Sequence, residues 1–388
     1  MKRASVNVAL LLTLATGARP AAEQRPAATS IVLKGVRVLD VVTGRYTTPS
    51  VVIVSGTRIT RITDETSFRA AAGDSVVDLS GSYLLPGLID AHVHFILGGS
   101  ISQNAAATLR AGFTTVVDLG ARGDRVLRFR DSVNAGTAVG PRILAAGKWI
   151  GIHGGVCEFN GIGVEGGPDE FRRRVNENVD AGADVIKLCV SGWPAEAFAS
   201  PDKYELTDDQ LSAAIAEAHR RGRLAIAHDL SRAGVAAAIR AGIDGFAHAA
   251  YLDSGSVGEI KRRNLFVIPT LASLTNGDTS AASRELLKAT SLAHKGGVRI
   301  VFGTDAGVIP HGENAAEFAA LVRAGLTPIE AIRAATIDAA SALRLADSVG
   351  VVRPGMVADL IITNGDPLKD IEALRKPRLV MARGVIVR

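Results

Sequence analysis

Two rhythms of apolar and polar residues divide the chain. Residues 31–80 carry short runs of β character, IVLKGVRVLD, SVVIVSGTRITRI and SVVDLSGSYL, parted by turn signals at Thr43-Gly44 and Ser55-Gly56. Similar runs return at the other end, ADLIITNGD over 358–366 and RLVMARGVIVR over 378–388. Together the two ends predict one small β-sandwich. Between them the pattern changes to a short apolar run followed by an amphipathic stretch, repeated. Strands are expected near 87–95, 113–118, 142–147, 184–190, 223–228, 244–248, 266–270 and 299–305. Helices are expected over 101–111, 123–135, 168–181, 207–221, 231–241, 254–263, 281–296 and 314–324, and LTPIEAIRAATIDAASALRL adds one more, with Thr327 as its N-cap and Pro328 in its first turn. Ala-Gly pairs at 111–112, 181–182, 241–242 and 324–325 mark helix ends, where glycine permits a left-handed cap.

Eight strand-then-helix units are the pattern of a parallel sheet covered by helices, so the expected fold is α/β, a (β/α)8 TIM barrel with a small β-sandwich built from both chain ends. The boundaries read as a leader over 1–22, a β-sandwich from 23–83 plus 347–388, and a barrel over 84–346. In the leader, Lys2 and Arg3 precede an apolar run from Val8 to Ala15, and small residues follow at Gly17 and Ala18. That is the form of a cleaved secretory signal, and it places the mature protein outside the cytoplasm, secreted or periplasmic. The run is too short for a stable membrane span.

Of the 388 residues, 47% are hydrophobic and 21% charged, enough apolar material for a large core. The net charge is +5, of which Lys2, Arg3 and Arg19 in or beside the leader supply three, and aromatics are only 4%; nothing there argues for a nucleic-acid partner. A small-molecule substrate and a homo-oligomer are expected. Two cysteines make no disulfide framework, and Cys189, two residues after Lys187 on one strand face, is expected to pack beside the site as a buried thiol rather than to pair with Cys157.

The candidate chemistry sits where the apolar runs stop. LLPGLIDAHVHF ends in His92-Val93-His94, VIKL carries Lys187, LAIAH closes on His228, DGFAH on His248 and IVFGTD on Asp305. Polar groups at the C-terminal ends of several strands are how a barrel builds an active site. Imidazole nitrogen and carboxylate oxygen suit a borderline divalent ion such as Zn2+.

On these motifs, with GTDAG after the eighth strand and a closing RPGMVADLIITNGDPLKDI, the chain resembles the amidohydrolase superfamily over nearly all its length beyond the leader. It is most similar to the imidazolonepropionase-like branch, which includes metal-dependent dipeptidases of the Xaa-Pro and Xaa-Arg type. The resemblance implies two divalent ions, expected as Zn2+. His92, His94 and Asp305 would hold one, His228 and His248 the other, and Lys187, carboxylated by CO2, would bridge them. A plain lysine could not bridge, since an ammonium has no lone pair; the alternative is a Lys187–Asp305 salt bridge in a one-metal site. The implied reaction is attack on a carbonyl by a hydroxide shared between the ions, with Asp305 as proton shuttle. The bond is expected to be an amide or peptide-like C–N bond, with lactone, ester or carbamate hydrolysis as the alternative chemistry and a catalytically inactive binding protein as the alternative class.

On the substrate side, His153 and Trp149 lie in the loop after the third strand, Tyr251 after the sixth and His311 after the eighth, all on the expected catalytic face. Trp193 is a further pocket-wall candidate. Tyr204 is expected to pack on the surface, and His219 and His294 to be ordinary helix residues. Leu230 stands where many relatives place a polar side chain, which weakens a dipeptidase specificity; Arg232 is the candidate replacement, with a solvated role at a helix start as its alternative.

Overall fold

The computed structural model describes residues 30–159, 161–192, 201–275 and 281–388. The leader and Trp193 lie outside the described residues.

Both chain ends enter one sheet. Strand Ile31–Asp40 pairs antiparallel with Ser50–Ser55, which turns at Gly56 (φ +58°) into Arg58–Asp64. Further along the same strand, Arg37 and Val38 pair with Tyr83–Pro86, which pairs in turn with Leu360–Thr363 from the C-terminal segment. Leu379–Ala382 and Val385–Ile386 complete that edge. Leu33, Val52, Leu84, Leu360 and Met381 form a shared apolar core, which is why neither end can fold apart from the other.

The middle of the chain gives a three-stranded parallel sheet, Leu88–Val93, Phe113–Asp118 and Arg142–Ala145, and a five-stranded one, Val185–Cys189, Leu224–Asp229, Gly245–His248, Phe266–Ile268 and Arg299–Ile300. Backbone hydrogen bonds join them on both sides. Asp184 N donates to Ala145 O (2.8 Å) and Cys189 N to Ile150 O (2.8 Å); across the other seam, Ala91 N donates to Phe302 O (2.9 Å) and Asp305 N to His92 O (2.7 Å). The sheet therefore curls, and its alternation sorts side chains into two layers. Val185, Leu224, Ile226 and Val301 turn to an inner cluster, whereas Ile186, Leu188, Ala225 and Ala227 turn outward to the helices.

The eight expected helices are present, each ending within two residues of its expected limits. Gly112, Gly182, Gly242 and Gly325 adopt φ of +90° to +110°, the left-handed cap that the Ala-Gly pairs announce. The structure departs from expectation in three places. The stretch after Thr327 is two helices, Pro328–Ala334 and Ile337–Ala342, because the carbonyls of Ala334 and Ala335 accept from Phe302 N (2.9 Å) and Ile89 N (2.8 Å) and are lost to helix continuation. A short helix, Leu271–Thr275, follows the seventh parallel strand without any periodic signal. Cys157 and Cys189 are not free thiols but a disulfide, since the loop after Ala145 runs along the Val185–Cys189 edge of the five-stranded sheet and brings their Cα atoms to 6.1 Å.

Phe302 links strand to helix, stacking on Phe113 at 5.4 Å and packing against Phe318 at 4.4 Å with no exposed surface. Phe302→Ala is expected to cost about 3–5 kcal/mol in urea unfolding. A loss below about 1 kcal/mol would show that this aromatic column does not fasten the 316–323 helix to the sheet.

Candidate metal centre

Alternation along two regular strands aims Lys187 and His228 inward, in register with Val185 and with Leu224 and Ile226. His248 and Asp305 reach the same place by a different device. His248 is the last residue of its strand with φ +76°, and Asp305 has φ +58°, both left-handed, a conformation that non-glycine residues hold only where surrounding structure imposes it. The imposing contacts are visible: Asp305 N is bound to His92 O, and Ala249 N to Asp229 O (2.9 Å).

The six side chains are all buried, at 7% exposure or less, and all line one cavity of about 160 Å3. His92 Nε2 lies 3.2 Å from His94 Nε2, and Asp305 Oδ1 lies 3.4 and 3.3 Å from these two nitrogens. His248 Nε2 lies 3.0 Å from His228 Nδ1. His92, His248 and Asp305 each place a donor atom within 4.8 Å of the others. One outer contact settles a tautomer: Gly120 O can only accept, so His94 Nδ1–H donates to it (3.0 Å) and Nε2 keeps its lone pair on the cavity side; His248 Nδ1 is hydrogen-bonded to the Thr270 hydroxyl (2.7 Å), which turns its Nε2 to the cavity.

Lone pairs facing one another at these distances repel unless a cation lies among them, and three buried atoms here have no hydrogen bond to the described residues: His92 Nδ1, Lys187 Nζ and Asp305 Oδ1. The donor set and its unspent valence fit a divalent ion. Three of the four imidazoles are held neutral, whereas His94, where burial is outweighed by the Asp305 carboxylate beside it, is raised. Burial and the nearby Lys187 hold His92 well below the ordinary imidazole range; burial, with His248 beside it, does the same to His228, and burial pushes His248 down to about 3. Burial works against the Asp305 carboxylate, but the His92 and His94 imidazoles outweigh it and hold the group well below the usual range. Burial pushes the Lys187 amine down to about 7, with Asp305 opposing.

Four buried acids that the sequence did not single out brace the cluster. Asp90 accepts from His92 N (3.1 Å), Thr304 N (3.1 Å), Thr304 Oγ1 (2.6 Å) and Asn314 Nδ2 (2.8 Å), tying the first strand to the eighth. Asp118 accepts from Phe95 N and Gly120 N, and Asp229 from Ser191 Oγ and Ser231 N. Glu317 accepts from Leu271 N (3.0 Å) and Ala272 N (2.6 Å), directly after Thr270, whose φ is +53° and whose hydroxyl holds His248. The signal available for Asp90 was its place two residues before His92; Glu317, inside an amphipathic helix, offered none.

The remaining candidates separate cleanly. Trp149 lines the cavity, 5.4 Å from the His94 ring and 4.7 Å from Phe159. His153 does not reach the cavity; it is exposed and pairs with Glu158 (3.1 Å) and Glu165 (3.7 Å). His311 braces rather than faces the site, with Nε2 3.2 Å from His94 O, Nδ1 3.2 Å from Thr108 Oγ1 and its ring on Phe95. Tyr251 packs half-buried against the outer core and is not among the cavity-lining residues. Tyr204 donates to Asp208 (2.7 Å) at the surface, His219 and His294 sit in helices, and Arg232 pairs with Asp202 (3.4 Å) at a helix start. Leu230 is fully buried. Leu97, Arg122, Cys157, Phe159 and Val308, none of them expected, complete the wall. A larger groove of about 800 Å3 beside Lys34 and Phe68 lies away from the metal-ligand candidates.

A curled parallel sheet with this donor set at its strand ends defines a class, and comparison with known proteins agrees. The model of the amidohydrolase family matches residues 83–387; the chain belongs to that family and, with the relatives below, is a hydrolase of C–N bonds. It is 29% identical over 356 residues to the ochratoxinase of Aspergillus niger, covering 76% of this chain and 73% of that one. Among solved structures it is similar to a Xaa-Pro dipeptidase with methionine bound in its active site (TM-score 0.86, 28% identity, 92% of this chain and 99% of that one). It is also similar to a putative prolidase from Bifidobacterium longum (TM-score 0.84, 30% identity, 93% and 95%).

Two outcomes test the bracing. Thr270→Val keeps the side-chain shape and removes the hydroxyl on His248, so metal affinity by chelator competition is expected to fall roughly 10- to 100-fold with little change in unfolding midpoint. Unchanged affinity would mean that the hydroxyl does not orient the ring. Burial pushes Glu317 up to about 8, so between pH 5 and 8 the folded chain keeps a proton that the unfolded chain releases. Its contribution therefore falls as pH rises through that window, and Glu317→Gln is expected to flatten the pH dependence of unfolding free energy there. An unaltered slope would sink this assignment.

Proposed function

We propose that the chain is a metal-dependent hydrolase cleaving an amide or peptide-like C–N bond of a small molecule. The observation that carries this is the convergence of four buried imidazoles and the Asp305 carboxylate around Lys187, whose amine is buried without a partner. His92, His94 and Asp305 would hold one divalent ion, and His228 with His248 a second; Zn2+ suits the donors. An amine held near neutrality can add CO2 and release a proton, which turns Lys187 from a donor into the acceptor that a bridge between ions needs. Bound ions supply Lewis acidity and lower the pKa of water. Asp305 then takes the proton from the attacking water and delivers it to the leaving nitrogen, a task for which its free Oδ1 is placed at the cavity.

We read the curled parallel sheet as a closed (β/α)8 barrel, and the sheet from both chain ends as its companion β-sandwich. Export from the cytoplasm is supported by the Cys157–Cys189 disulfide, a bond that persists in oxidising compartments.

The test is metal content per chain after purification without chelator, with turnover of a panel of N-acyl amino acids, dipeptides, lactones and aryl esters. About two ions, turnover of the C–N substrates, and a loss of about 10²- to 10⁴-fold in kcat for Asp305→Asn are expected. Turnover of lactones or esters alone would redirect the reading to those bonds. Metal that cannot be restored, with no turnover of any class, would overturn it.

A further inference from the structure

Outside the six polar residues, the cavity wall among the described residues is built from Leu97, Trp149, Cys157, Phe159 and Val308 and carries a single charged side chain, Arg122. Arg122 comes after strand Phe113–Asp118, and its neighbour Ala121 bridges to Lys148 beside Trp149, so the two walls share one anchor. The guanidinium stands 5.8 Å from the centre of the Phe159 ring and makes no hydrogen bond or ion pair with the described residues. A cation over an aromatic face keeps its in-plane N–H donors free.

Phe159 is not a loose partner. Its loop is fastened by the Cys157–Cys189 disulfide to the strand that carries Lys187, by Ile152 pairing with Val164, and by Val156 N donating to Glu205. Val308, 51% exposed, adds an apolar lip to the same cavity. A molecule entering this cavity meets flat and aliphatic walls and one cationic fork with open donors, at a distance from the hydrolytic cluster set by a fixed loop.

Resting on the hydrolase reading above, we propose that Arg122 is the specificity-determining residue of this chain: it binds an anionic group, a carboxylate, on a substrate whose apolar portion packs on Trp149, Phe159 and Val308. The carboxylate accepts from the guanidinium in the planar two-bond arrangement that arginine favours, and this contact fixes which way round the scissile bond lies. Leu230, which offers no polar atom, takes no part in it. The disulfide acts through Phe159, by keeping the ring beneath the guanidinium.

The experiment compares matched pairs, an N-acyl derivative of an apolar amino acid and the corresponding C-terminal amide, on metal-loaded wild type, Arg122→Gln and Arg122→Lys. The wild type is expected to favour the carboxylate roughly 10- to 100-fold in kcat/KM, the range of a charge-assisted hydrogen bond. In Arg122→Gln that preference should vanish through a rise in KM for the carboxylate alone, with the amide unaffected; Arg122→Lys should restore part of it. Calorimetric binding of a non-hydrolysable N-alkyl amino acid and its amide to the same proteins reads the contact without turnover. Equal handling of both members by the wild type, or an equal loss on both in Arg122→Gln, overturns the assignment and leaves the hydrolase reading standing. Preferential, Arg122-dependent binding of the carboxylate analogue with no turnover of any amide would keep the Arg122 site and overturn the hydrolase.

Discussion

The centre of this molecule is an electrostatic demand. Four imidazoles and a carboxylate are taken out of water, turned toward one another at 3.0–3.4 Å, and set beside a lysine whose amine is given no acceptor. Burial, with Lys187 and the neighbouring rings adding to it, drives three of the imidazoles toward their neutral form, so they meet as lone-pair donors and not as partners. Such an arrangement gains nothing for stability by itself; a buried charge or donor left unpaired costs several kcal/mol. A positive charge inserted among the donors would repay that cost, so on the proposed reading the site's own misfit is what favours a metal.

Holding misfit groups in place falls to the shell around them. Asp90, Asp118, Asp229 and Glu317 are all fully buried; Asp118 and Glu317 accept from backbone N–H groups, and Asp90 and Asp229 from backbone N–H groups and side chains together, close to a candidate ligand or to the residue that steers one. Backbone bonds of this kind dictate φ and ψ, and φ is what has been altered: Thr270, His248 and Asp305 are all left-handed. Regular alternation along a strand would send His248 outward with Phe246, to the helix layer. The left-handed turn at the strand end is what sends it inward, and its Thr270 contact keeps it there.

That division also explains what could be read from residues alone. The repeating units, the sheet shared by the two chain ends and the six ligand candidates were legible because each depends on a local pattern: a period of two or of 3.6, an Ala-Gly cap, a polar residue closing an apolar run. Glu317 and Thr270 were illegible because their roles arise from pairings between distant elements that no local period reports. The disulfide was misread for the same reason. Placing Cys189 beside Lys187 was right, but the path of the loop that returns Cys157 to it depends on Ile150 pairing with Leu188, a tertiary fact. His153 and His311 were drawn to the site by position in loops on the right face; the structure gives one to two glutamates at the surface and the other to the backbone of His94.

The wall and the donor cluster belong to different parts of the chain's logic. The candidate ligands stand at strand ends, where hydrogen bonds to neighbours on both sides leave little freedom; the wall stands on loops, which can change without disturbing the sheet. Loops are poor at holding an exact distance, and hydrolysis needs the carbonyl placed to within a fraction of an ångström of the attacking water. In this chain the disulfide narrows that gap by fixing the wall loop to the very strand that carries Lys187, so Phe159 inherits the rigidity of the sheet. A pocket wall built on loops is thereby made stiff in operation, and the bond that does so adds no chemistry of its own.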